Sequence, residues 1–159
     1  YNSAPINITY KPKMTIKKES ATISVSVSKQ HFHAANYLHG SAIFKLLDDA
    51  AYFSAQSVEQ NYFLVTASFN SHFIRPINSG ILIATGHIIN ETNTQIIAES
   101  KIENDTGKRI AHGTGCFMKS NIKLSSIKSY FLLLLKFKSY SLLYFLEEFK
   151  SSFSLRKSS

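Results

Sequence analysis

Residues 36–58 read NYLHGSAIFKLLDDAAYFSAQSV, and the reading of this stretch decides the fold. Ile43, Phe44, Leu46, Leu47, Ala50, Ala51, Phe53, Ala55 and Val58 cover most of a helical circumference. A helix apolar nearly all round belongs in the centre of a fold rather than on its surface. The small residues Ala42, Ala50, Ala51, Ser54 and Ala55 let strands approach it closely. A His-Gly-Ser step opens the stretch, two carboxylates sit in its middle, and the polar run Gln56 to Asn61 ends it. Asn36 stands just before it, where a positive φ is needed and Asn tolerates one.

The chain around this helix reads as strands. Ile23, Val25 and Val27 alternate with Ser24, Ser26 and Ser28, a strand with one wet face. After the helix come four strand-like runs, Phe63 to Ile74, Ile81 to Asn90, Thr94 to Glu103 and Arg109 to Lys119. Arg75-Pro76 stops the first, because proline donates nothing to a ladder. Asn78-Ser79-Gly80 and Asn104-Asp105-Thr106-Gly107 are turns. The second run is apolar on both faces and reads as a central strand. Short connections imply antiparallel pairing. The expected fold is α+β, one long central helix wrapped by an antiparallel sheet of about five strands.

That assignment gives three regions. Residues 1–20, punctuated by Pro5 and Pro12, read as an irregular lead-in; 21–119 form the domain; 120–159 are a basic, apolar tail. At 159 residues the chain is long enough for one real core. The net charge is +8, and residues 121–159 carry +5 of it, from seven Lys or Arg against two Glu. The body is thus only mildly basic and shows no basic stripe interleaved with aromatics, so nucleic acid is not the expected partner. A modest positive patch for a phosphorylated ligand is compatible with it. Tyr130 to Phe149 is strongly apolar, but Lys136 and Lys138 interrupt it, which argues against a span needing about 20 apolar residues. A basic interfacial helix is the lesser expectation for it and a passive extension the greater. Cys116 is the only cysteine, which rules out an intrachain disulfide and favours a reducing, cytoplasmic setting. The N-terminus lacks the build of a secretory signal, and a start on Tyr1 is that of a fragment or a processed form.

His39 and Asp48 are the candidate chemistry. Over nine helical residues they lie half a turn out of phase and about 13 Å apart along the axis, too far to meet at one reacting atom within one chain. In a dimer with antiparallel central helices, the helix start of one chain meets the mid-helix carboxylate of the other. Free N–H groups at a helix start stabilise an oxyanion, and Gly40 lets a carbonyl come close to them. A carboxylate in an apolar helix has a raised pKa and serves as general base or nucleophile. The competing reading is that Asp48 and Asp49 merely pair with Lys45 or cap a loop. His72, His87 and His112 lie in strands and read as packed or surface histidines, and no metal site is expected.

Asn36 to Ala50, NYLHGSAIFKLLDDA, resembles the helix motif of hotdog-fold acyl-CoA thioesterases of the phenylacetate-pathway type, within the 4-hydroxybenzoyl-CoA thioesterase superfamily. There a His-Gly-Gly step precedes an acidic residue nine positions after the His, and that count lands on Asp48. Phe73-Ile74-Arg75-Pro76 with Gly80 resembles the family's next landmark, and Gly113-Thr114-Gly115-Cys116-Phe117 its last strand. The resemblance implies thioester hydrolysis to a carboxylic acid and free coenzyme A, with coenzyme A as part of the substrate and no separate cofactor. Asp48, favoured over its neighbour Asp49, activates water or attacks the thioester. Gly40 supplies the oxyanion amide, His39 orients the turn or contacts the carbonyl region, and Thr66 positions water. Toward the substrate it implies His33, Asn36, Ser41, Arg75, Lys108 and Arg109, in a homodimer or homotetramer with coenzyme A between subunits. Ser41 replaces the second Gly of the step, and the turn at residues 90–94 lacks the Arg or Lys many members carry. The alternative is a hotdog protein that binds acyl-CoA or an acyl carrier without turning it over.

Overall fold

A computed structural model describes Tyr1 and residues 4–127. Its elements are α1 (Asn7–Tyr10), β1 (Lys13–Lys17), β2 (Ser20–Ser26), α2 (Gly40–Gln56), β3 (Tyr62–Phe73), β4 (Ile81–Glu91), β5 (Gln95–Asn104) and β6 (Arg109–Lys123). Contacts divide the chain into Tyr1–Asn121 and Ile122–Ser159. The first unit is a six-stranded antiparallel sheet, in the order β1-β2-β4-β5-β6-β3, with α2 across one face. The expectation for residues 130–149 lies outside the described residues, among which no helix is long and apolar enough to cross a membrane.

Alternation sets the inner face. Along β2, Ala21, Ile23 and Val25 are buried while Thr22 and Ser26 are exposed. β5 buries Ile96, Ala98, Ser100 and Ile102, and β6 buries Ile110, Ala111 and Phe117. These meet Ala42, Ile43, Leu46, Leu47, Ala50, Ala51, Ser54 and Ala55 of α2. Each large apolar side chain withdrawn from water contributes about 1.5–3 kcal/mol. Helix and sheet approach closely at Gly86, where a Cβ would lie 2.0 Å from the Ala50 carbonyl oxygen. The two glycines of Gly113-Thr114-Gly115 also have a packing reason. The Phe69 ring lies over both, 2.5 Å and 2.6 Å from where their Cβ atoms would be.

Three expectations are corrected. The lead-in is not irregular: it holds α1 and β1, and β1 makes the sixth strand by pairing Met14 with Ile23 and Ile16 with Ala21. α2 begins at Gly40, as the His-Gly-Ser step predicts, with Asn36 before it at a left-handed φ of 62° and His39 extended. α2 is not buried all round, however, since Phe44, Lys45, Asp48, Asp49, Tyr52 and Phe53 share a face that stays partly open. Last, β3 and β4 do not form a hairpin. Residues 74–80 carry the chain from one edge of the sheet to its middle, held by Leu38 N–H on the Ile77 carbonyl (2.8 Å) and Val27 N–H on the Gly80 carbonyl (2.9 Å). Pro76 ends the ladder, and β4 then pairs with β2 and β5. Its place as an interior strand is as expected, although Ile81, Ile83 and Ile89 leave its outer face exposed.

The α2–β3 connection hangs on Glu59, which is 7 % exposed. Its carboxylate accepts from the Asn61 and Tyr62 amides at 2.7 Å and 3.0 Å and pairs with Lys119 Nζ at 2.9 Å. Burial pushes its pKa up, but Lys119 and the two amides outweigh that and hold it below the ordinary value. A depressed carboxyl pKa adds stability above the unfolded value, and that stability disappears as pH falls through the folded one. Glu59→Gln should therefore cost about 1–3 kcal/mol in urea unfolding at neutral pH, and less in acid. An equal loss at neutral and acidic pH would show that the charge is not what holds the loop.

Candidate active site

Two groups of candidate residues form, one at the start of α2 and one at its middle. At the start, a short hairpin presents the helix. Phe32 bridges Leu38, Asn36 N–H bonds the His33 carbonyl at 2.9 Å, and His39 N–H bonds the His31 carbonyl at 2.9 Å. His39 is the N-cap: its Nδ1 accepts the Ser41 amide at 3.1 Å and lies 2.7 Å from Ser41 Oγ. An accepting Nδ1 leaves the hydrogen of a neutral ring on Nε2. His33 turns its own Nδ1 to the Ala35 amide, and its ring sits 6.4 Å from that of His39. The Gly40 N–H has no partner among the described residues, as expected of the first helical amide. Phe73, at the end of β3, is the nearest side chain to it, 3.7 Å from where a Cβ would be.

Arg75 belongs to this end, in the segment that also holds Ile77 beneath Leu38. Its guanidinium donates to the Arg109 carbonyl at 2.5 Å. Arg109 in turn pairs with Glu103 at 3.2 Å, as does Lys101. Lys108 is exposed in the β5–β6 turn, with its amide on the Asn104 side chain. So Arg75, Lys108 and Arg109 are neighbours, but two of the three are already engaged. His87 and His112 line a separate groove of about 340 Å³ on the outer sheet face, with the His72 ring stacked 5.1 Å from His112.

At the middle of α2, Asp48 opens onto a cavity of about 570 Å³. Phe44, Tyr52, Phe53, Phe63, Leu64 and Val65 give it apolar walls, and Thr66 stands beside the carboxylate. Thr66 Oγ1 donates to Asp48 Oδ1 at 3.0 Å. Burial raises the Asp48 pKa most. The Thr66 bond pulls it down, the Asp49 charge raises it, Lys45 lowers it, and the net effect is upward. Asp49 is differently placed: it is bound by Lys45 one turn earlier and by the Tyr1 hydroxyl. The Lys45 pairing weighed for either carboxylate falls to Asp49. Thr66→Ala should therefore raise the Asp48 pKa further and move the acid limb of any activity governed by it to higher pH. A limb that stays in place in the kcat/KM profile would detach that activity from Asp48.

Within one chain the Gly40 amide and Asp48 are separated by about 12 Å along the helix axis. The open face of the cavity also holds residues outside every sequence expectation, namely Tyr1, Ala4, Ile6 and Asn7. Pro5 and Pro12 hid them, because proline punctuation reads as a loop whether or not the loop packs. No spacing in the sequence pointed to them: Lys45 and Asp49, four residues apart, predict only an ion pair on α2 itself.

Residues 35–111 match the family model described as the thioesterase superfamily. Among solved structures, the chain is similar to the Escherichia coli PaaI protein from the phenylacetic acid degradation operon, with 19% identity, a TM-score of 0.71, and coverage of 77% of this chain and 89% of that one. A thioesterase from Haemophilus influenzae aligns with 15% identity, a TM-score of 0.69 and coverage of 76% and 86%. A Streptococcus mutans protein bound to acetyl-CoA aligns with 16% identity, a TM-score of 0.64 and coverage of 69% and 88%. No curated protein matches the chain closely enough to count as a relative.

Proposed function

We propose that the protein hydrolyses an acyl-CoA thioester, a reading supported by the hotdog fold and by the match of residues 35–111 to the thioesterase-superfamily model. The observation that carries this reading is the half-buried Asp48, bonded by Thr66 and facing an apolar cavity while Asp49 is neutralised by Lys45. As general base, Asp48 takes a proton from water as the water oxygen attacks the thioester carbon. The C–S bond then breaks, the thiolate takes up the proton, and the acid and free coenzyme A leave. As nucleophile, Asp48 instead attacks the thioester carbon, the C–S bond breaks to leave a mixed anhydride, and coenzyme A departs as a thiolate; water then opens the anhydride, returning the Asp48 carboxylate and releasing the acid, whose proton balances the thiolate. Either way negative charge develops on the carbonyl oxygen and needs donors.

The donor in this reading is the Gly40 amide of a second copy. β3 is a sheet edge with Val65 and Phe73 exposed on it and Ile74 just beyond it, and a long apolar edge calls for a partner strand. Thr66, next to Asp48, and Phe73, next to Gly40, lie equally far either side of the Phe69–Asn70 peptide. Two β3 strands paired antiparallel about that point set each Thr66 opposite the partner strand's Phe73 position, which brings acid and amide of different chains together. His33, Asn36, His39 and Ser41 shape the turn that aims the amide. Arg75 and Lys108, with Arg109 behind them, are the cations on offer to the coenzyme phosphates, and the Streptococcus mutans protein bound to acetyl-CoA supports a ligand of this kind. The experiment is hydrolysis of a panel of acyl-CoA thioesters together with the solution mass. Turnover by a strict monomer would remove the shared site. Binding without turnover across the panel would leave an acyl-CoA-binding protein.

A further inference from the structure

The cavity at Asp48 has two banks, and only one of them falls within the residues that match the superfamily. α2 is its floor, with two rows of side chains at helical spacing, Phe44–Asp48–Tyr52 and Lys45–Asp49–Phe53. β3 stands against the first row: Thr66 bonds Asp48, and the Phe63 ring lies 5.8 Å from Tyr52. The N-terminal segment stands against the second. The Tyr1 ring meets Phe53 edge-on at 4.8 Å, its hydroxyl donates to Asp49, and Lys45 Nζ sits 5.2 Å from its ring centre. Ala4, Ile6 and Asn7 complete this bank.

Several contacts fasten the segment there. Asn7, only 2 % exposed, donates through Nδ2 to the Tyr1 carbonyl at 2.9 Å. Gln30 Nε2 donates to the Thr9 carbonyl at 2.8 Å, and the Tyr10 ring stacks 4.0 Å from that of His31. Ile6 differs from the rest: it lines the cavity yet is 62 % exposed, so its apolar surface is not used by the core.

We propose that the N-terminal segment is the selectivity wall of the acyl site, with the acyl group lying along α2 between β3 on one side and Tyr1, Ala4, Ile6 and Asn7 on the other, and Ile6 limiting its size. The inference rests on the thioesterase reading and deepens it. An acyl chain in this trough covers Ile6, and each Å² of apolar surface covered contributes about 25 cal/mol. The wall carries no chemistry. It acts by admitting or excluding methylene groups, each worth about tenfold or more in kcat/KM at the size limit.

The test compares the wild type, Ile6→Ala and Ile6→Trp on straight-chain acyl-CoA thioesters of increasing length. The alanine variant should move the preferred length upward. The tryptophan variant should move it downward, lowering kcat/KM for the longest acyl groups about tenfold or more relative to the shortest. Identical length profiles for all three proteins would overturn the wall. Calorimetric Kd values for the same thioesters separate the two ideas. If the wild type binds but does not hydrolyse, the thioesterase reading fails, while a length shift in the variants' Kd values still supports the wall. An unshifted Kd series removes the wall alone, and no binding by the wild type removes both.

Discussion

Asp48→Asn should lower kcat for acyl-CoA hydrolysis by about 10²–10⁴-fold. At about 1.4 kcal/mol per factor of ten, that is roughly 3–5 kcal/mol of lost transition-state stabilisation. The amide keeps the shape of the carboxylate and still accepts from Thr66, so the cavity and fold should persist. What disappears is the negative charge, and with it the basicity and nucleophilicity of the oxygen that takes water's proton or attacks the carbonyl. The neighbouring change gives the contrast. Asp49→Asn loosens the contacts to Lys45 and Tyr1, which hold the cavity bank, and should affect KM more than kcat. Steady-state kinetics on both variants decides the matter. A wild-type kcat in Asp48→Asn, or a larger kcat loss in Asp49→Asn, would reverse the assignment. Because Asp48 starts from a raised pKa, the wild-type kcat/KM should climb through a limb above the ordinary aspartate value. The asparagine variant should lack that limb.

Gly86→Ala should be the most damaging small substitution in the fold. The added methyl would sit 2.0 Å from the Ala50 carbonyl oxygen and 2.8 Å from the Ala51 nitrogen. Backbone, unlike a flexible side chain, cannot step aside, so α2 must lift from β4 as a unit. Overpacking of this kind costs about 1–3 kcal/mol and at times more. In a domain of this size that is a fall in Tm of roughly 4 °C for each kcal/mol. Gly40→Ala is the control. Its methyl would meet only the Phe73 ring at ordinary contact distance, and alanine is the better helix former. Its Tm should hold or rise. Thermal melts of both variants test this, and a Gly86→Ala protein as stable as wild type would mean that the helix rides higher over the sheet.

Lifting α2 would also move Asp48, since the residues of the proposed site and those that seat the helix alternate along it. Ala50 and Ala51 are fully buried one turn or less from a carboxylate that must stay accessible. Stability and site geometry are thus coupled through one element.

Much was legible in the residues themselves. An apolar run of helical length between polar ends specifies α2, and the His-Gly step with Asn36 before it specifies where the chain must turn. Period-two alternation specifies which side chains of β2 and β5 face inward. Asn104 to Gly107 specifies the β5–β6 turn. These are local rules, satisfied within a few residues, so one chain read in order suffices. Tertiary structure alone decided three things. It sent β3 to the far edge of the sheet, because strands of similar pattern compete for the same neighbours and only the crossing of residues 74–80 over the helix start resolves the competition. It laid the N-terminal segment along the cavity, through contacts between Tyr1 and residues more than forty positions away. And it separated Asp48 from Asp49, two identical side chains on one apolar helix, about 100° apart around its axis. Their difference lies in what packs against each, Thr66 on one and Lys45 with Tyr1 on the other, and long-range packing is not written in the spacing of a single helix.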